Sequence, residues 1–340
     1  KQTVNTQYWQ VFLLKILVVG YGSIGKRHVK NLLNKFDVEI IVNTKQHDSF
    51  LKQNHCIASS SLSKCILEKP DIAIIANVTN MHMKTALTLA KSGCHLLIEK
   101  PLSNSITGIE DLIKITRSMK LTTLIGCNLR FHPCIELLKQ LIDKKTIGKI
   151  ISVKIENGSY LPNWHPYEDY RKSYASNDSL GGGVVLTNIH EIDYLYWFFG
   201  KVKEVFSITG KFSDLQIKSD DLSAILLRFS NNIIAEIHLD YFQRPDFRSC
   251  KIIGTKGTLY WDSDINSVKL YDINKKKWIT KLSIKNHDFN ETYVKELSHF
   301  LACIKSNKKT INDAQDGLQT LKIALAIKKS SDTKKLQRLK

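Results

Sequence analysis

The sequence predicts an α/β chain in two parts, a parallel sheet followed by a mostly antiparallel one. Three observations lead there. Short β-branched runs alternate with helical stretches as far as Gly126, and a spaced set of glycines separates the first run from the first helix. Beyond Gly148 the texture changes to strands joined across Asn, Gly and Asp turns. A chain of 340 residues suits two domains sharing an interface.

Residues 1–13 have no clear periodicity and read as a short packed arm or as an extension without a structural role. Residues 16–19 are apolar and β-branched, as in a strand buried on both faces. They run into Gly20, Gly22 and Gly25, spaced G-x-G-x-x-G, and then into residues 26–33, where Val29, Leu32 and Leu33 keep helical spacing. On such a strand-to-helix turn the first glycine permits the tight turn, and the second lets backbone approach a pyrophosphate. The third allows close helix–strand packing, and the helix N-terminus offers free N–H groups to the phosphates. A dinucleotide site is expected, the alternative being a purely structural turn.

Further strands are expected at residues 38–42, 56–58, 72–76, 95–98 and 122–125, with helices at 63–68, 80–92 and 103–119. Strands separated by helices imply βαβ units, with ligands at the carboxyl ends of the strands. The unusual polar stretches fall at those ends: the glycines, residues 43–45, 77–82, 99–101 and 128–133. After a helix over 134–145, strands are expected at 150–156, 202–209, 222–229, 233–241, 249–254, 258–262 and 268–272. Among them lie a long loop (158–180) and a helix (188–199), and two helices (291–306 and 313–330) close the chain. The expected domains are 14–126 and 127–340.

Net charge is +18, from 50 Lys and Arg against 32 Asp and Glu, but the lysines are spread along the chain. No helix-turn-helix, zinc finger or aromatic-interleaved basic strand accompanies them, so attraction for anionic metabolites is the reading, and specific nucleic-acid binding is not. Seven scattered cysteines without a C-x-x-C pair argue for reduced thiols in the cytoplasm, with neither a disulfide framework nor a metal site. No apolar run approaches the ~18–20 residues that span a bilayer, and no signal-peptide pattern is visible.

Glu99-Lys100-Pro101 ends a parallel strand, and proline holds Lys100 to extended backbone. A lysine there can bind a substrate hydroxyl and accept its proton as hydride leaves; otherwise it is a surface lysine at a loop start. Gly181-Gly182-Gly183 precedes a helix on which His190, Asp193, Tyr194 and Trp197 share a face. The glycines would let backbone come close to a ligand, and His190 would share proton handling, oriented by Asp193. The alternative is a buried histidine capped by its i+3 carboxylate. A zinc-protease reading fails, because Tyr194 stands where a second His is needed.

Taken together, Gly20-x-Gly22-x-x-Gly25, residues 76–82, Glu99-Lys100-Pro101, Asn128-x-Arg130-Phe131-His132-Pro133 and Gly181-Gly182-Gly183…His190-x-x-Asp193 resemble the Gfo/Idh/MocA oxidoreductases, in order and spacing, over nearly the whole chain. The resemblance implies an N-terminal Rossmann doubly wound parallel sheet. It also implies a C-terminal α+β domain built on a mostly antiparallel sheet, whose open sheet faces the cofactor and often forms oligomer contacts. Hydride transfer between NADP or NAD and a sugar, sugar acid or nucleotide sugar would follow. Lys100, His190 and Asp193 would be catalytic. Gly20, Gly22, Ser23, Ile24, Gly25, Thr44, Lys45, Asn77, Thr79, Asn80, His82, Glu99, Lys100 and Asn128 would hold the cofactor. Lys100, Arg130, Trp164, Arg171, Tyr174 and His190 would face the substrate. The string from Tyr160 to Tyr174, with residues 190–194, further resembles members associated with surface-glycan and nonulosonic-acid biosynthesis.

Two positions depart from the family pattern: Thr187 where many members carry an Asp, and Asn77-Val78 in place of Thr-Pro. Thr187 keeps open a second reading, a non-catalytic dinucleotide- or sugar-sensing protein. At the end of the second strand, Val42-Asn43-Thr44-Lys45 has a cation and no acid for a ribose 2′-OH, which leans the cofactor toward NADP. The aromatic loop 158–180 is expected to wall the substrate pocket, with Arg171 meeting an anionic group; otherwise Arg171 pairs with Asp169 or Glu168.

Overall fold

The computed structural model describes residues 13–339, so the expected N-terminal arm lies almost wholly outside the described residues. The first unit comprises β1 (Leu14–Val19), α1 (Ser23–Lys35), β2 (Val38–Asn43), α2 (Ser49–Gln53), β3 (Ile57–Ser59), α3 (Leu62–Leu67), β4 (Ile72–Ile75), α4 (His82–Lys91), β5 (His95–Glu99), α5 (Ile109–Ser118) and β6 (Thr123–Gly126). Its six strands are parallel, in the order β3-β2-β1-β4-β5-β6. Period-2 alternation splits them between two cores. Leu17, Val19, Ile75 and Ile98 pack on one face, and Ile16, Val18, Ile74 and Leu97 on the other. This is the Rossmann arrangement, and the order reverses at β1/β4, which opens the crevice where dinucleotides bind.

The second unit comprises α6 (Pro133–Asp143), β7 (Ile150–Gly158), α7 (Val184–Thr187), α8 (His190–Phe199), β8 (Val202–Gly210), β9 (Leu222–Phe229), β10 (Ile234–Asp240), β11 (Phe247–Gly254), β12 (Gly257–Asp262), β13 (Ser267–Asp272), β14 (Lys277–Ser283), α9 (Asn290–Ser306), α10 (Ala314–Thr333) and β15 (Gln337–Arg338). Nine strands form one sheet, β14-β13-β12-β11-β7-β10-β9-β8-β15, antiparallel except where β7 runs parallel to β10. β14 escapes a sequence reading because it is an edge strand with no buried residue. The helix expected from residue 103 begins only at Ile109, after Gly108 takes a left-handed N-cap.

α6, α7, α8 and α10 cover one face of this sheet. The opposite face carries Lys154, Phe206, Ile208, Leu226, Glu236 and His238 in an open cleft. The resemblance gives one open face both cofactor and oligomer contacts, but here the face toward the first unit is the helix-covered one. α9 turns back to the Rossmann sheet: Leu297 and Phe300 enter its core beside Val29 and Leu32. Burial of each contributes about 1.5–3 kcal/mol, which ties the two units together.

Candidate active site

The glycine turn is shaped by close approach. A Cβ at Gly20 would lie 2.6 Å from the Ala76 carbonyl oxygen, and one at Gly25 would lie 2.1 Å from that of Gly20. At Gly22 a Cβ would meet nothing within 4 Å, and no side chain caps α1. Open space therefore faces the uncapped amides of Ser23, Ile24 and Gly25, which fits a pyrophosphate. At the end of β2, Asn43 and the Thr44 amide both bond Ser59 O at 3.0 Å, while Thr44 Oγ1 accepts from the Gln46 amide and Lys45 is exposed.

The loop after β4 serves as a bracket. His82 places Nδ1 2.9 Å from Pro101 O and Nε2 3.0 Å from Asn77 O, while Asn77 donates to Thr85 Oγ1 at 3.0 Å. Burial, the largest influence, lowers the pKa of His82. Asn80 donates to Ser179 O at 3.0 Å, and Thr79 lies where a Cβ on Gly181 would be 2.7 Å from it. Thr79, Asn80 and His82, expected as cofactor residues, thus tie this loop to its neighbours. Glu99 does likewise: Oε1 sits 2.6 Å from His28 Nε2 on α1, and Oε2 accepts from the Lys100 amide. Asn128 donates to Thr292 Oγ1 at 2.8 Å within the protein, which joins the Rossmann sheet to α9.

The Lys100–Pro101 bond is cis, and the half-buried Lys100 Nζ donates to Thr187 O at 2.8 Å. Thr187 therefore meets the lysine through its carbonyl, where an aspartate would bring a charge. His190 opens α8, and its pKa falls well below the usual histidine value because of burial, then Lys100, then Arg248. Its imidazole is neutral at physiological pH, and Nδ1 has no partner.

Asp193 does not orient His190. It receives Arg130 in a bidentate pair, Nε to Oδ2 at 2.7 Å and Nη2 to Oδ1 at 2.8 Å, while Arg130 Nη1 donates to Ile311 O at 2.6 Å. Arg130 is 2% exposed, and its fork is closed on Asp193. The Arg171 fork is likewise taken, by Asp169 at 2.7 and 2.9 Å, and Gln216 accepts from its third nitrogen. That is the alternative outcome for Arg171. The three glycines at 181–183 press on their own loop: a Cβ on Gly182 would sit 2.2 Å from Tyr174 O. Trp164 donates to Ser159 Oγ at 2.9 Å and packs edge-on against Tyr241 at 5.3 Å. Tyr174 remains partly exposed and lies near Tyr241 and Tyr293.

Residues that the sequence did not single out complete the site. Asn157 of β7 and Arg248 of β11 are cross-strand partners on the helix-covered face, and Arg248 Nε lies 2.9 Å from Glu191 Oε1 of α8. Several buried polar atoms here make no hydrogen bond of good geometry: Asn157 Nδ2, which faces Glu191, Thr187 Oγ1 and the Tyr241 hydroxyl, which face each other, Asn188 Nδ2 and His190 Nδ1. These groups offer both donors and acceptors within reach of Lys100 and His190. Among the described residues no group of three or more His, Cys, Asp and Glu is placed to hold a metal, and no helix is long and apolar enough to cross a membrane.

Residues 14–127 match the NAD-binding Rossmann domain of the oxidoreductase family, and residues 135–260 match the GFO/IDH/MocA C-terminal domain. The chain belongs to the Gfo/Idh/MocA family. It is thus an oxidoreductase with a NAD-binding Rossmann domain. Among its relatives, myo-inositol 2-dehydrogenase of Thermotoga maritima is 26% identical over 96% of this chain and 98% of that enzyme. The 2,7-anhydro-N-acetylneuraminate hydratase of Escherichia coli is 24% identical over 72% of this chain and 66% of its own length. Levoglucosan dehydrogenase in complex with NADH superposes with a TM-score of 0.85 at 17% identity, covering 96% and 99% of the two chains.

In this family member a second carboxyl lies buried near Glu99. Glu296 of α9 has neither oxygen bonded, and burial first, then Glu99 and Asp193, hold its pKa well above the usual range. A folded-state pKa above the unfolded one stabilises below about pH 4.5 and is lost as pH rises toward the raised value. Glu296→Gln is therefore expected to gain on the wild type from pH 5 upward, by up to about 1.4 kcal/mol per pH unit. Parallel melting temperatures from pH 5 to 9 would show that Glu296 titrates normally.

Proposed function

We propose that this chain transfers a hydride between NADP or NAD and a CH–OH or keto carbon of a polyhydroxy carbohydrate: a sugar, sugar acid or nucleotide sugar. The observation that carries this is Lys100 at the end of a parallel strand, its ammonium on Thr187 O among donors and acceptors of the second unit. The substrate classes of the relatives, inositol and an anhydro-sugar acid, support it. The nicotinamide, when bound, accepts or supplies the hydride. In the oxidising direction the Lys100 amine takes the hydroxyl proton, and in the reducing direction its ammonium returns one to the carbonyl oxygen. Neutral His190 accepts or donates at an adjacent hydroxyl, and Asn157, Asn188 and Tyr241 fix the remaining ones.

The substrate bears an anionic group, in keeping with the cationic character of the pocket around Lys100 and Arg248. Self-association through the open sheet face is part of this proposal, since Phe206, Ile208 and Leu226 are exposed there. Seven free thiols fit a cytoplasmic site of action. The test is anaerobic purification with analysis of bound nucleotide, then a screen of sugars, cyclitols and sugar acids for nicotinamide absorbance change. Turnover with at least one class, and NADP binding at least as tight as NAD, is expected. Tenfold tighter NAD would overturn the NADP preference, and absence of turnover together with tight sugar binding would favour the sensing role.

A further inference from the structure

Of the three arginines that face an acid at the site, Arg130, Arg171 and Arg248, only the last has a fork that is not closed bidentately. Arg130 is locked bidentately onto Asp193, and Arg171 onto Asp169. The contact between Arg248 and Glu191 runs through Nε, at 2.9 Å and without hydrogen-bond geometry, so that Nε and both carboxylate oxygens have no hydrogen-bond partner. The strand alternation fixes its direction. Phe247, Ser249 and Lys251 line the open cleft on the far face, which sends Arg248 with Cys250 and Ile252 to the helix-covered face beneath α8. It lies close enough to His190 to lower that residue's pKa together with Lys100.

We infer that Arg248 is the anion receptor of the substrate pocket, with Glu191 as its resident counter-ion, and that the group received is a single carboxylate of a sugar acid. A guanidinium fork matches a carboxylate in plane and spacing, and such paired bonds fix orientation as well as charge. One incoming negative charge is what the site can balance: Glu191 takes up a proton from solvent as it leaves the fork, and Lys100 is committed to the reacting oxygen. Burial already pushes the Glu191 carboxyl upward against the pull of Arg248, so this acid yields its place readily. The fork then orients the sugar ring over Lys100, which makes Arg248 a specificity-determining residue. The inference rests on the carbohydrate reading above.

The test uses the full chain loaded with NAD or NADP, titrated calorimetrically with glucuronate, glucose and glucose 6-phosphate. Wild type is expected to bind glucuronate about 10- to 100-fold more tightly than glucose, the range of a charge-assisted hydrogen bond. Arg248→Gln alone strands a buried carboxylate, so the decisive variant is the double change Arg248→Gln/Glu191→Gln, which removes both charges. It is expected to bind glucuronate and glucose within about twofold of each other, while Arg171→Ala keeps the full preference. A preference that survives in the double variant, or is lost in Arg171→Ala, overturns the assignment. Preference for glucose 6-phosphate overturns the carboxylate, and glucose bound as well as glucuronate by wild type overturns the anion receptor while the carbohydrate reading stands. Failure to bind any of the three, alongside an empty turnover screen, removes both.

Discussion

Lys100→Ala is expected to lower kcat by about 10²–10⁴-fold, the usual worth of a positioned acid–base group, while cofactor affinity changes only a few-fold. The division follows from the geometry. On the proposed reading the dinucleotide sits against the turn at Gly20, Gly22 and Gly25 and the uncapped amides that open α1, away from the lysine side chain. The Lys100 side chain reaches the other way, to Thr187 of the second unit. Lys100→Arg should fare little better, because a guanidinium does not release its proton in this pH range. Steady-state rates and nucleotide titrations on the same preparations check the split. A variant retaining more than about a tenth of the wild-type rate would remove Lys100 from the proton transfer.

Arg130→Met is expected to cost stability rather than affinity. The side chain is 2% exposed, and its two bonds to Asp193 and one to Ile311 O join the turn after β6 to α8 and to the segment before α10. Removing one partner of such a pair leaves an uncompensated buried charge, at a cost of about 3–5 kcal/mol. Asn312 and Thr320, at 3.3 and 3.4 Å from Asp193 Oδ1, offset only part of it. Replacing both charges, as in Arg130→Met/Asp193→Leu, should restore much of the loss. Urea unfolding of the two variants decides the matter. A variant of unchanged stability but raised KM would return Arg130 to the substrate-binding role that its place in the sequence suggests.

The contrast between these two residues shows how far the sequence can be read. Period-2 and period-3.6 patterns are local, so the strands, the glycine turn and the arrival of Lys100 at a strand's carboxyl end are legible from the residues alone. Partners are not local. His28 and Glu99 are 71 positions apart, and Arg130 and Asp193 are 63. His190 and Asp193 share a helix face, yet Asp193 finds a guanidinium from another element because the buried charge needs a full fork. Arg248 falls just outside the strand that the sequence predicts from Ser249 onward. Extending the alternation by two residues puts Arg248 in phase with buried Cys250 and Ile252, which is the available signal. The loop 158–180 follows its composition only in part: its aromatics do approach the second sheet, but its arginine satisfies its own turn.

The most direct measurement of the central claim is a crystal structure of the protein with NADP or NAD and a bound sugar acid. The pyrophosphate is expected against the amides of residues 23–25. Lys100 Nζ is expected to turn from Thr187 O to a substrate oxygen at about 2.6–3.2 Å, with His190 on a neighbouring hydroxyl. A sugar seated away from Lys100, with Nζ still closed on Thr187 O, would contradict it.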